Sequence, residues 1–415
     1  MADFMQFSGL FNRCYLPPLP QPQLVYAFFE AWPRAQAVRL PLNFCLVLDR
    51  SGSMSGPKIK QLREAVRTMI SHLEPDDTIS VVAFNAHTEV MIPATAATDP
   101  DALTARVGRL EAGGGTSLAP AMRAGLAEIV KHQDPTRASR LIVLTDGQTT
   151  GEDDCRAEAD RAAAAGVPLM ALGLGTDWNE DLLIDLAQRT GELGDTFLIR
   201  KPEEVGPMFA QVFNQIKVVA QDVSVRVTPA QGVRVRRAWQ VAPQIREVSE
   251  TAANGPTLAF DLPELTESGA AFLLELLVPP RNPGVYRFVR SEIAYTIPSR
   301  APTRHEARCD LTAEITADVS LTQQVDARVM GVVERVMAHR LQSQALEDVA
   351  RQDFDSATTR LRAAHTILLE QGEQELARNA LAEAMRLERD HELSSEGRKT
   401  IKLSSGKSVR LIRPS

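Results

Sequence analysis

The sequence predicts an α/β protein with a doubly wound, mostly parallel sheet, an accessory β-sandwich and a C-terminal helical region. Three observations carry that prediction. Between residues 41 and 219, strand-sized apolar runs alternate with amphipathic helical stretches, the pattern of a parallel sheet covered on both faces. From 220 to 317 the pattern changes to short alternating runs broken by Pro, Gly and Asn, which suits a sandwich. From 318 to 392 an apolar three-and-four repeat takes over, the mark of packed helices.

A chain of 415 residues is too long for one ordinary core. Its apolar share of 44% and charged share of 24% are those of a globular protein. The net charge of -7 and pI of about 5.7 argue against nucleic acid as the main partner. No apolar run approaches the roughly 20 residues of a membrane helix. The N-terminus lacks the basic start and long apolar run of a secretory signal. Cys14, Cys45, Cys155 and Cys309 are scattered without a CxxC pair, so neither a zinc site nor a disulfide framework is expected. A cytoplasmic location, with no membrane contact, is the expectation.

The elements follow in order. "PQLVYAFFEAW" (22–32) is strand-like with no partner nearby. Residues 1–40 are therefore expected to lend a strand to the later sandwich, the α/β domain being inserted between sandwich strands. Within that domain, strands are expected at 42–48, 78–84, 141–145, 167–174 and 195–200. Only Asn85-Ala86 separates 78–84 from a second run at 87–92, predicting a hairpin and one antiparallel edge strand. Helices are expected at 58–73, 101–110, 117–131, 153–165, 179–189 and 202–217. In the first, Ile59, Leu62, Val66, Met69, Ile70 and Leu73 share a face, and Pro57 suits its first turn. "TDWNEDLL" reads as a helix start capped by Thr176, Asp177 or Asn179, with Trp178 packing beneath. Glu152-Asp153-Asp154 reads as a solvated helix start.

In the C-terminal region Leu321, Val325, Val329, Val332, Val336 and Leu341 are expected on one helix face. A second helix opens at Asp353 or Asp355 and closes at Gly372, and a third spans 373–389. Residues 393–415 read as a basic tail, either frayed or a strand pair turning at Ser405-Gly406. Arg398, Lys399, Lys402, Lys407, Arg410 and Arg413 are expected to face solvent.

The chemistry gathers at strand ends. "LVLDRSGSMSG" (46–56) ends an apolar strand at Asp49 and follows it with Ser51 and Ser53. "RLIVLTDG" ends a second strand at Asp146, and "EAGGGTSLAPAM" places Thr116 after three glycines. In an open α/β sheet the carboxyl ends of neighbouring strands flank the ligand crevice. Two carboxylates and three hydroxyls at one edge form an oxygen set suited to a hard divalent cation. Magnesium is favoured, with manganese or calcium as alternatives.

D-x-S-G-S at 49–53, Thr116 in "GGGTS" and Asp146 in "LTDG" resemble the metal-ion-dependent adhesion site of von Willebrand factor type A domains. The resemblance covers roughly residues 38 to 219. It includes "VVAFN" at 81–85 and "LGLGTDWNEDLL" at 172–183, which is similar to bacterial members. It implies a doubly wound α/β domain that binds protein ligands through magnesium or a similar ion. By the resemblance Asp49, Ser51 and Ser53 are first-loop ligands. Thr116 coordinates directly in the high-affinity state, and Asp146 directly or through water. The sandwich and helices resemble, more loosely, those of bacterial multidomain members.

The expected function is a metal-dependent protein-interaction module, not an enzyme. The cation captures an Asp or Glu of a partner protein, and the chain acts as a cytoplasmic adaptor or scaffold. The resemblance suggests an AAA+ ATPase as one such partner. The alternative is a magnesium-dependent hydrolase of phosphate esters or peptides. Against it, no histidine lies near the serines in sequence, and GxSxG is absent there. "GGGTS" lacks the lysine of a phosphate loop, and only Arg50 and Lys58 are nearby as a phosphate clamp. His72, His87, His132, His339, His365 and His391 show no metal-ligand spacing. Arg50, Met54, Asn85 and Trp178 are expected near the rim of the metal edge.

Overall fold

The computed structural model describes residues 4–34, 39–175, 177–248, 257–298 and 302–404. They fall into two compact units, one built from residues 39–218 and the other chiefly from the chain on either side.

The first unit is a six-stranded sheet. Its order is Thr88–Ala96, Thr78–Phe84, Leu42–Asp49, Ala138–Thr145, Leu169–Leu174 and Asp195–Ile199. All neighbours are parallel except the Thr88–Ala96 edge strand, which is antiparallel. Leu42–Asp49 is buried along its whole length, as a central strand covered on both faces must be. On one face Phe44, Leu46 and Leu48 pack against Leu62 and Val66 of helix Pro57–Ser71 and Phe209 of helix Val205–Gln215. On the other, helix Leu118–Val130 approaches closely at Gly125. A Cβ there would lie 2.9 Å from both Leu141 Cδ1 and Val47 Cγ2, so glycine sets the helix–sheet spacing.

Two buried polar side chains at the base of the sheet are paired, as burial demands. Asn43 donates to the Ile129 carbonyl at 2.9 Å. Buried Asp77 accepts from both terminal nitrogens of Arg39, at 2.8 and 2.7 Å, and from the backbone N–H of Leu42 and Glu74, each at 2.8 Å.

The second unit is a pair of five-stranded sheets. One runs Met5–Phe11, Gln23–Pro33, Ala270–Val278, Arg234–Ala242 and Arg246–Glu247. The other runs Leu258–Thr266, Val218–Pro229, Gly284–Ile297, Thr303–Ile315 and Tyr15–Leu16. Gln23–Pro33 pairs antiparallel with Ala270–Val278, Phe28 lying opposite Leu273. Phe29, Phe272, Phe260, Phe288 and Tyr295 fill the space between the sheets. The outer face of the first sheet, through Phe28, Trp239 and Leu273, receives Val329, Val332, Val333 and Val336 of helix Ala327–Ala350. Helices Phe354–Glu370, Gln374–Asp390 and Ser395–Ser404 complete the unit. Asp326 and Asp353 cap the first two of these four helices, accepting from Val329 N and Ser356 N.

Four expectations are corrected. The hairpin loop holds three residues rather than two, because Phe84 pairs with Thr88 and Asn85 Oδ1 accepts from His87 N at 2.9 Å. Leu321 and Val325 do not continue the apolar face of the long helix, because Asp326 caps it after both; Val325 is exposed. Residues 395–404 are a helix instead of tail or strand. Its start is set by Ser394, whose hydroxyl accepts from Gly397 N at 2.8 Å and donates to buried Glu383, while Ile401 packs with Ala345, Leu361 and Leu387. Lys399 is buried on that helix, against the expectation of a solvent-facing side chain. Thr176, the Ser405-Gly406 turn, Lys407, Arg410 and Arg413 lie outside the described residues.

Candidate metal centre

The site forms where the strand order reverses. Leu42–Asp49 leads on to a neighbour on one side, and Ala138–Thr145 lies on the other, so their carboxyl ends open a crevice. Asp49 is the last residue of its strand, and Asp146 follows the last residue of the next. Both are buried.

Asp49 is held from two sides. Its Oδ1 accepts from Ser51 N at 2.7 Å, and its Oδ2 accepts from Thr145 Oγ1 at 2.6 Å. Leu48 pairs with Leu144 in the parallel ladder, which brings the next residues of the two strands side by side. Burial pushes the Asp49 carboxyl above its ordinary range; the Thr145 and Ser51 hydrogen bonds pull it back, and the Asp146 charge raises it again. Ser51 Oγ and Ser53 Oγ lie 3.0 Å apart, and Ser53 Oγ donates to Asp146 Oδ1 at 2.7 Å. The Lys58 ammonium is paired with Asp146 Oδ2.

Four of the five residues singled out in the sequence thus form one connected oxygen cluster. Thr116 does not hydrogen-bond to the other four; it stands half-buried at the end of the adjoining loop. That loop is fastened to the first one. Gly113 N donates to Arg50 O at 2.7 Å, Gly52 N to Gly114 O at 3.0 Å, and Asn85 Nδ2 to Gly113 O at 2.6 Å. Gly114 has a φ of +87°, and a Cβ there would sit 3.2 Å from Asn85 Nδ2, so a side chain would disturb the bracket.

Sequence reasoning missed Thr145 and the structural role of Asn85. Thr145 was findable: it precedes Asp146 at the end of a strand expected to lie beside the one ending at Asp49. Trp178 packs as expected. It is fully buried, its Nε1 donates to Gly175 O at 3.0 Å, and Asn179 caps the following helix by accepting from Leu182 N. Arg50, mostly buried, pairs with Glu89 at 2.7 Å.

The donor chemistry fits a divalent cation. All the groups are oxygens, two of them buried carboxylates, and each carboxylate oxygen keeps a second lone pair beyond the bond it already accepts. The Lys58 ammonium at Asp146 marks a place where positive charge is already accommodated. Among the described residues no group of three or more His, Cys, Asp or Glu is placed to hold a metal, as befits a cluster half made of hydroxyls.

A family profile described as the von Willebrand factor type A domain matches residues 43–211. The chain carries a von Willebrand factor type A domain. Such domains are commonly metal-dependent protein-interaction modules. A second profile, the Sll0103-like C-terminal alpha-helical domain, matches residues 327–410. Among curated proteins, the uncharacterized protein sll0103 of Synechocystis sp. is 30% identical over 273 residues, which are 64% of this chain and 64% of that protein. Human inter-alpha-trypsin inhibitor heavy chain H4 is 33% identical over 167 residues, 37% of this chain and 18% of its own length. The chain therefore spans less than two thirds of either relative. Among solved structures, a von Willebrand factor type A protein from Catenulispora acidiphila superposes with a TM-score of 0.66 at 20% identity, covering 98% of both chains. This likeness concerns the fold, and it extends beyond the von Willebrand domain to the sandwich and helices.

Proposed function

We propose that the chain is a divalent-cation-dependent adaptor. A magnesium ion held by Asp49, Ser51, Ser53 and Asp146, with Thr116 joining it when the partner binds, captures an Asp or Glu side chain of another protein. The observation that carries this reading is the convergence of two buried carboxylates and two serine hydroxyls at the sheet's switch point, linked through Ser53. Bound there, the ion would supply an electrophilic position for a partner's carboxylate. The protein's own part is to fix the donors. Thr145 and the Ser51 N–H orient Asp49, Ser53 orients Asp146, and the hydrogen bonds at Arg50, Gly52 and Asn85 keep the Thr116 loop alongside.

The sandwich and its helices would then offer a second binding surface, in keeping with a scaffold. A cytoplasmic location and an AAA+ ATPase as the acidic partner belong to the same proposal. No described helix is long and apolar enough to cross a membrane.

Two measurements test the proposal. Magnesium titrated into the 415-residue chain by calorimetry should give a one-site isotherm. Affinity capture from the native cell, once in magnesium and once in chelator, should yield partners only with the metal. An isotherm without heat, or an identical partner set in chelator, would defeat the reading.

A further inference from the structure

Lys58 is an odd choice for its position. It lies in the first turn of helix Pro57–Ser71, where the positive end of the helix dipole disfavours a cation. Its ammonium nevertheless reaches Asp146, whose side chain is completely buried while that of Lys58 is 28% exposed. Helix preference does not explain the placement; the carboxylate does. Without a cation, Asp146 would be a buried charge beside the second buried carboxylate, Asp49, and such charges are costly to leave unpaired. The other nearby cation, Arg50, is committed to Glu89.

Resting on the metal-site reading above, we propose that Lys58 is a built-in counter-cation that a divalent ion must displace. The ammonium neutralises Asp146 Oδ2, while Ser53 occupies Oδ1. A divalent cation among the same oxygens would sit at short range from the ammonium, where like charges repel strongly. The four-carbon stem of lysine lets the ammonium swing into water, and its partial exposure leaves the way open. Metal uptake and Lys58 release are then one event. Lys58 sets the affinity threshold and prevents the two carboxylates from repelling each other before metal arrives.

Two experiments on the 415-residue chain test this. In calorimetric titrations with magnesium, Lys58→Gln should bind about two- to fivefold more tightly than wild type, the range expected from losing a partly exposed ion pair. In wild type, acetylation of Lys58 by an N-hydroxysuccinimide ester, read by mass spectrometry, should rise when magnesium is added. Equal or weaker binding by the variant overturns the inference, as does unchanged labelling; if wild type still binds magnesium, the metal-site reading survives. If neither protein binds magnesium, both fall. The labelling arm needs no variant, so it stands even if Lys58→Gln folds poorly.

Discussion

Replacing Asp49 with Asn separates the two roles of this carboxylate. An amide can keep the local bonds. Its Oδ1 can accept from Ser51 N, and its Nδ2 can donate to Thr145 Oγ1 once that hydroxyl rotates, so two hydrogen bonds replace the two now present at 2.7 and 2.6 Å. What disappears is a buried negative charge. Burial raises the Asp49 pKa, so ionisation at neutral pH opposes folding when no cation is bound. In chelator the variant should therefore melt at or above wild type. In magnesium at about one hundred times Kd, wild type should gain about 2.7 kcal/mol by mass action. For a unit spanning residues 39–218, each kcal/mol moves the midpoint by about 2–4 °C, a shift of about 5–11 °C in all. Asp49→Asn should show almost none of it. Circular-dichroism melts of both proteins, with magnesium and with chelator, read all four values. An undiminished metal shift in the variant would refute Asp49 as a ligand. A variant several degrees less stable in chelator would refute the desolvation argument.

The pH dependence has a definite sign. A carboxyl whose folded pKa is raised favours the fold below its unfolded pKa, and that contribution is lost as pH rises through the folded value. In chelator, stability from Asp49 should thus decline toward neutral pH, while the metal-induced shift should shrink as pH falls and protons compete for the carboxyl. A metal shift that stays constant from pH 7 to 4 would contradict this. Gly173→Ala should lower stability by about 1–3 kcal/mol in urea unfolding, because the new methyl would lie 2.1 Å from Trp178 Cε2; a change below about 0.5 kcal/mol would show that Trp178 moves freely. Burial pushes the Cys45 thiol up to about 12 and the Cys155 thiol to about 11. An aromatic disulfide reagent should modify exposed Cys14 in the native protein and reach Cys45 and Cys155 only in denaturant; prompt native labelling of Cys45 would show local opening of the central strand.

Much of the α/β unit and the site's composition can be read directly from the amino-acid order. Strand and helix periodicities are local, so the run ending at Asp49, the run ending before Asp146 and the apolar face from Ile59 to Ile70 are visible without any knowledge of neighbours. The oxygen residues announce themselves because they interrupt apolar strands with polar groups that folding must satisfy. Cap positions were legible less evenly. Asp353 and Asn179 follow local rules, whereas the helix starting at Ala327 cuts short an apolar repeat that begins at Leu321 in the sequence. The alternation in "KTIKL" suggested a strand, yet Ile401 is drawn into a helix by a hydrophobic cluster assembled from three other helices.

What the polypeptide could not declare by itself was who meets whom. Thr145 holds Asp49 across 96 positions, Ser53 meets Asp146 across 93, and Lys58 meets Asp146 across 88. The strand Gln23–Pro33 finds its partner at Ala270–Val278, on the far side of an entire inserted domain. Such encounters depend on strand order and register, which arise from burying the whole sheet at once. Residue order determined the donors and the strand ends that carry them; only the packed sheet decided that a lysine, rather than the resembling motif alone, stands at Asp146.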